Sequence, residues 1–272
     1  MNTKKILITG STDGIGKLAA SQLAKDGHHV FIHGRNSDKL KRVIEEIKEL
    51  SNNSNIHGFA ADLSNLDHVK SLVNEVLKKT SSLDVLINNA GIFTTSNPKN
   101  NEGRDVRMVV NYLAPYLLTK KLLPVLERTS GSRIVNLSSA AQSPVDLNSL
   151  SKNPELPTQQ AYAQSKLALT MWSFSLAKTL TNPSVIAVNP GSLLNTKMVQ
   201  EAYGQHWSSA DKGSSLLVDL ATSAEFEGIT GKYFDNDLGD PRGRFGTAHA
   251  DAYDAQKTAK LMQATEDILS DL

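Results

Sequence analysis

The stretch "TGSTDGIG" (Thr9 to Gly16) stands between an apolar run, "KKILI" (residues 4–8), and a helix-like run, "KLAASQLAKDG" (residues 17–27). Glycine tolerates positive φ and close backbone approach, and a helix N-terminus presents unpaired N–H groups with a partial positive charge. Gly10, Gly14 and Gly16 at a strand-to-helix junction therefore describe a cradle for phosphate. An ordinary βα turn would look similar, and the spacing G-x-x-x-G-x-G is not the G-x-G-x-x-G of the common dinucleotide fingerprint. The rest of the chain has to decide between the two.

Working outward, short β-rich runs alternate with helix-length amphipathic stretches. The strands are expected at 4–9, 29–34, 55–61, 83–89, 133–139, 184–190 and, as a seventh, 230–235. Helices are expected at 15–26, 37–50, 65–79, 103–127, 158–180 and 210–224. The strand runs are nearly continuous in apolar residues, which suits a parallel sheet covered on both faces. Strict alternation with right-handed crossovers gives an α/β fold, a single doubly wound Rossmann domain over 1–272 with a mostly parallel seven-stranded sheet and helices on both faces. Ligands in that architecture sit beyond the carboxyl ends of the strands, where the glycine turn lies, so the phosphate cradle is the favoured reading.

Composition removes other classes. A formal net charge of +1 gives no reason to expect nucleic acid as a partner. No cysteine is present, which excludes disulfides, thiolate metal sites and thiol nucleophiles and is compatible with a cytoplasmic location. No apolar run approaches a membrane span, so no integral membrane segment is expected. His28, His29, His33, His57, His68, His206 and His249 form no zinc-binding pattern, and no metal is expected.

Two irregular segments, 140–160 and 191–209, are expected on the ligand side as substrate-site loops, because loops this long are usually functional or disordered. Met198, Tyr203 and Trp207 with "SPVDL" (residues 143–147) would make an apolar pocket there, core or interface packing being the equal alternative. An amphipathic helix at about 252–270 would pack near that pocket or on a partner subunit. In "AYAQSKLALTMW", Tyr162 and Lys166 lie four residues apart and share a helix face. A nearby ammonium stabilises a phenolate, which makes Tyr162 a candidate proton donor or acceptor. The pair opens the helix after strand 5, whose "NLSS" ends in hydroxyls, so Ser139 is placed to bind the same substrate oxygen.

The set "TGSTDGIG", "NNAG" (Asn88 to Gly91), Asn111, "SS" (Ser138, Ser139), "YAQSK" (Tyr162 to Lys166) and "NPG" (Asn189 to Gly191) resembles the short-chain dehydrogenase/reductase family. The 23 positions from Ser139 to Tyr162 and "AYAQSKLAL" resemble its retinol dehydrogenase-like branch and bacterial relatives. The resemblance implies a catalytic set of Asn111, Ser139, Tyr162 and Lys166. Tyr162 is then the general acid/base, Lys166 lowers its pKa and holds the nicotinamide ribose, Ser139 polarises the carbonyl, and Asn111 holds a water leading to Lys166. The choice of Ser139 over Ser138 rests on the resemblance alone. It also implies cofactor contacts from Gly10, Ser11, Asp13, Gly14, Ile15 and Gly16, from Asp62 and Leu63, from Asn89, Ala90 and Gly91, from Pro190 and Gly191, and from Tyr162 and Lys166. Where the family often has a threonine after "NPG", this chain has Asn195 with Thr196 next, and the sequence leaves open which contacts the nicotinamide.

Strand 2 ends in "FIHGRN", with Gly34 where an acidic residue would bind the ribose 2′-hydroxyl of NAD and Arg35 immediately after. A guanidinium binds phosphate in forked geometry, so NADP(H) is the expected cofactor. Asp13 argues against strictness, since many NADP-dependent relatives carry a basic residue there, and NAD(H) stays open. The expected activity is hydride transfer between nicotinamide and the carbonyl or alcohol of an apolar small molecule. The alternative is a non-catalytic NADP(H)-binding sensor, against which the complete Asn111, Ser139, Tyr162 and Lys166 set counts. An extended-branch epimerase or dehydratase would need a longer carboxyl-terminal part, and a light-dependent chlorophyll-precursor reductase would need a cysteine. A homo-oligomer through the helices after strands 4 and 5 is an option the family implies and the sequence does not decide.

Overall fold

In "KILI", β1 (Lys5–Ile8), alternate side chains enter two different cores, which is why the strand is apolar throughout. Ile6 and Ile8 pack with α1 (Gly14–Lys25) and α2 (Ser37–Ser51) on one face, where β2 (His29–Gly34) contributes Val30 and Ile32. Leu7 points to the opposite core, shared with α3 (Leu66–Lys79), which follows β3 (Ile56–Ala60). The computed structural model describes residues 3–239 and 242–270; the six other positions, to which the expected 1–272 domain also extends, lie outside the described residues.

The chain continues through β4 (Val85–Asn88), a short α4 (Val106–Met108), a π-helical turn over Val109–Leu113, α5 (Ala114–Glu127) and β5 (Arg133–Leu137). After these come α6 (Thr158–Thr179), β6 (Ser184–Asn189), α7 (Lys197–Tyr203), α8 (Ala210–Thr222), β7 (Lys232–Asp235), β8 (Arg244–Gly246) and α9 (Ala255–Ser270). Helix starts are capped by short polar side chains: Asn36 accepts from Lys39 N, and Asn65 accepts from Asp67 N and His68 N. Each such cap contributes about 1 kcal/mol.

The sheet order is β3-β2-β1-β4-β5-β6-β7-β8, parallel from β3 to β7. This is the expected doubly wound architecture, and its order reverses between β1 and β4, which places the crevice at their carboxyl ends. The seven-strand expectation is corrected by one: β8 adds antiparallel to β7, with Phe234 opposite Phe245. Three residues, "RFG", are too few for a periodic signal. The strand forms because the Phe245 ring packs edge-on against Phe234 and Phe226.

The 103–127 helix also differs from expectation, since it begins at Val106 and widens into the π turn before α5. Helix α9 forms within the expected 252–270, but it packs against α6, with the Thr265 hydroxyl 2.7 Å from that of Tyr112 in the π turn and Glu266 paired to Lys120 of α5 at 2.5 Å. No α9 residue lines the ligand cleft. Among the described residues no helix is long and apolar enough to cross a membrane.

Candidate active site

The glycine turn is locked to the segment after β4. Gly10 has φ +65°, and a Cβ there would lie 2.8 Å from Ala90 Cα. A Cβ on Gly16 would lie 2.4 Å from Asn89 Nδ2 and 2.9 Å from the Gly10 carbonyl oxygen. Asn89 Nδ2 donates to the carbonyls of Thr9 (2.7 Å) and Gly10 (3.1 Å), while the Thr9 hydroxyl accepts from Asn89 N and Ala90 N, each at 3.0 Å. These bonds satisfy the turn's carbonyls from one side and leave its other side open to the cleft. The turn also leans on His33, whose Nδ1 accepts from Gly10 N (3.1 Å) while Nε2 donates to the Ala61 carbonyl (3.0 Å). Burial holds that imidazole neutral, its pKa pushed down to about 4.

A cleft of about 1380 Å³ runs from this turn to the irregular segment 191–209; of the segment 140–160 only Ala141 lines it, and the expected Ser143–Leu147 stretch does not. Gly10, Asp13, Gly14, Ile15, Gly16, Arg35, Asp62, Leu63, Asn89, Ala90, Gly91, Pro190 and Gly191 all line it, as do Ser139, Tyr162 and Lys166. Ser11 does not. Its hydroxyl donates to the Ile8 carbonyl (2.7 Å) and accepts from His33 N (3.0 Å), so it ties β1 to β2 with its back to the cleft. Thr12 lines the cleft in its place. Asp62 faces the cleft with one carboxylate oxygen accepting from Ser64 N and Ser64 Oγ.

At the far end, α6 presents Tyr162 and Lys166 one turn apart beneath the carboxyl end of β5. The Lys166 ammonium donates to the Leu137 carbonyl at 2.7 Å and lies 5.5 Å from the Tyr162 ring centre. Burial pushes Lys166 down to about 8. Burial likewise pushes Tyr162 up to about 12, against a hydrogen bond from Ser139 that lowers it. The ammonium does not bring the phenol down in the protein alone, because it is directed at a carbonyl rather than at the phenol oxygen. Tyr162 is consequently protonated at neutral pH.

Both serines border the cleft, and their hydroxyls are engaged differently. The Ser138 hydroxyl is buried against α6, 2.6 Å from Thr170 Oγ1 and 3.1 Å from the Lys166 carbonyl, whereas Ser139 bonds Tyr162. Asn111 lies in the π turn and does not line the cleft: its Oδ1 accepts from Ile92 N (2.8 Å), and its Nδ2 donates to Ile92 O (3.0 Å) and Ser165 Oγ (2.9 Å). It anchors the segment after β4 that carries Gly91, whose Cα neighbours Lys166 Nζ and Asn111 Oδ1 closely enough that a Cβ would lie 3.4 and 3.5 Å from them. Of Asn195 and Thr196, it is Thr196 that faces the cleft, beside Gly14, while it caps α7.

Sequence reasoning missed Phe93, Lys39 and Arg42. Phe93 stacks edge-on against Tyr162 at 4.7 Å between ring centres and touches Tyr203 at 5.7 Å. Lys39 and Arg42 reach the cleft from one side of α2. Their spacing after the Asn36 cap was the available signal, since i and i+3 share a helix face. Met198, Tyr203 and Trp207 do line the cleft, and Tyr203 and Trp207 are 50% and 74% exposed.

The family model for short chain dehydrogenases matches residues 4–207. Polyprenol dehydrogenase of Homo sapiens is 31% identical over 252 residues, which is 85% of this chain and 76% of that protein. Retinol dehydrogenase 13 of Mus musculus is 30% identical over 251 residues, 85% of this chain and 75% of that protein. Among solved structures, a short chain dehydrogenase from Escherichia coli CFT073 complexed with NADPH superposes with a TM-score of 0.72 at 27% identity, covering 86% of this chain and 97% of that one. With a match this long and a polar set of the family's kind at the end of one cleft, the chain is an oxidoreductase that belongs to the short chain dehydrogenase family.

Proposed function

We propose that the protein is an NADP(H)-dependent oxidoreductase of the retinol dehydrogenase-like branch, moving a hydride between nicotinamide and the carbonyl or alcohol of an apolar substrate. One observation carries the reading: a single cleft joins the glycine turn and Arg35 at one end to Ser139, Tyr162 and Lys166 at the other. The residues fit a dinucleotide. A Cβ at Gly10 or Gly16 would collide with the Asn89–Ala90 segment, so glycine is what lets the turn pack in this shape with its other side toward the cleft, and α1 adds its N-terminal dipole. Arg35 is exposed at the end of β2 with no carboxylate partner among the described residues, as a 2′-phosphate reader requires.

Bound nicotinamide would supply or accept the hydride. Around it, the turn from Gly10 to Gly16 would hold phosphate, Asp62 and Leu63 would border the adenine, and Ala90, Gly91, Pro190, Gly191 and Thr196 would line the nicotinamide half. Ser139 and Tyr162 hydrogen-bond the substrate oxygen together, and Tyr162, protonated at neutral pH, gives its proton to that oxygen in reduction and takes one back in oxidation. Lys166 steadies the ribose and the developing charge on Tyr162. Asn111 acts as a positioning residue, tying the Gly91–Ile92 segment to Ser165 of α6 beside Lys166. The substrate is apolar because Ile92, Phe93, Met198, Tyr203 and Trp207 face it, and the names of the human and mouse relatives, a polyprenol and a retinol dehydrogenase, agree with that class.

Titration with NADPH and with NADH by nicotinamide fluorescence, repeated on Arg35→Ala, tests the reading. NADPH should bind at least about tenfold more tightly, and the substitution should erase that margin, as expected for loss of a charge-assisted hydrogen bond. Failure of both cofactors to bind would overturn it, and binding without turnover of any carbonyl would leave the sensor in its place.

A further inference from the structure

Asp13 is an odd residue for the rim of a site that takes an extra phosphate. It caps α1, with Oδ1 accepting from Gly14 N at 2.9 Å, so helix geometry holds the carboxylate at the cleft. A bare carboxylate there would repel the 2′-phosphate that Arg35 attracts. It is not bare. Lys39 Nζ donates to Asp13 Oδ2 at 2.5 Å across the gap between α2 and α1. Each oxygen of the carboxylate therefore has its own donor.

The position of Lys39 follows from the residues before it. Asn36 caps α2 by accepting from Lys39 N at 2.8 Å, which fixes the first turn directly after Arg35. Arg42 then falls on the same side of the helix, and Arg35, Lys39, Arg42 and Asp13 border one end of the cleft. The other cation acting on Asp13 is Lys197 from α7, itself 3.6 Å from Glu201. The nearby acid, Asp62, is engaged by Ser64.

Resting on the NADP(H) reading above, we propose that Lys39 is a specificity-determining residue: it shields Asp13 and completes, with Arg35 and Arg42, a cationic pocket for the 2′-phosphate. The lysine stands in for a basic residue that the glycine turn lacks. With it, an acid can cap α1 without excluding phosphate. An exposed ion pair contributes little to folding, so the effect of this pair is felt by what binds beside it.

The test is a double-mutant cycle on cofactor affinity, with Lys39→Met, Asp13→Asn and both together, each titrated with NADPH and NADH. Lys39→Met should weaken NADPH about tenfold and NADH less than about twofold, the scale of one hydrogen bond to a charged group. In the Asp13→Asn background the same substitution should cost NADPH only about threefold, since no carboxylate is left to unmask. Both side chains are partly or fully exposed, and thermal unfolding of each variant confirms that the fold is intact. An unchanged NADPH-to-NADH ratio in Lys39→Met, while the wild type still prefers NADPH, would overturn the proposal and leave the Arg35 reading standing. An equal cost in both backgrounds would overturn the shielding of Asp13. A wild type that binds neither cofactor would sink both readings at once.

Discussion

At the cofactor end of the cleft, Gly10 is pressed against Ala90, Asn89 holds two carbonyls of the turn, and His33 is buried beneath it. At the substrate end, α7 has no buried residue, and Trp207 beyond it is 74% exposed. The first end is made of backbone conformations that only certain residues can adopt. The second is made of apolar surface that many side chains could supply. Tolerance to substitution, and legibility in the sequence, should differ in the same way.

Gly10→Ala would break the comparison most sharply. It places a side chain at φ +65° and 2.8 Å from Ala90 Cα, so strain and overpacking should cost about 3 kcal/mol in urea unfolding, with loss of NADPH binding. A variant as stable as wild type would mean that the turn is not locked as described. His33 gives the next effect. Its folded pKa, about 4, lies below the ordinary 6.5, so the unfolded chain takes the proton first. Stability from this group is complete above about pH 6.5 and falls as the pH drops toward 4, by about 2 kcal/mol between pH 7 and pH 5. His33→Leu should flatten that part of the pH profile, and an unchanged slope would count against a neutral His33 pinning Gly10. The smallest stability effect belongs to the other end. Tyr203→Ala should leave unfolding within about 0.5 kcal/mol of wild type, yet raise KM for an apolar carbonyl severalfold, because Tyr203 is half exposed and touches Phe93 over the cleft. A large loss of stability there would erase the contrast between the two ends.

The inner strands were legible because they feed two cores, so their residues are nearly continuous in apolar side chains, as in Ile6, Leu7 and Ile8. The glycine turn was legible because its backbone demands glycine. Helix α7 was not: at seven residues, none of them fully buried, it is too short for its few apolar positions to make a periodic signal, and a threonine cap starts it. The π turn around Asn111 was hidden because it answers to Ile92 and Ser165, distant in sequence. The inward turn of the Ser11 hydroxyl was hidden because its partner, His33, belongs to another strand. Asp13 looked unfavourable for phosphate until Lys39, arriving from α2, supplied its counter-charge.

The central claim is that Tyr162 moves the proton while the rest of the cleft holds the cofactor. Its most direct test follows loss of nicotinamide absorbance with NADPH and a panel of apolar aldehydes and ketones, comparing wild type with Tyr162→Phe. The account predicts NADPH affinity within about twofold of wild type and turnover lowered by at least about 100-fold, the range for removing a general acid. Turnover at the wild-type rate in Tyr162→Phe would contradict it.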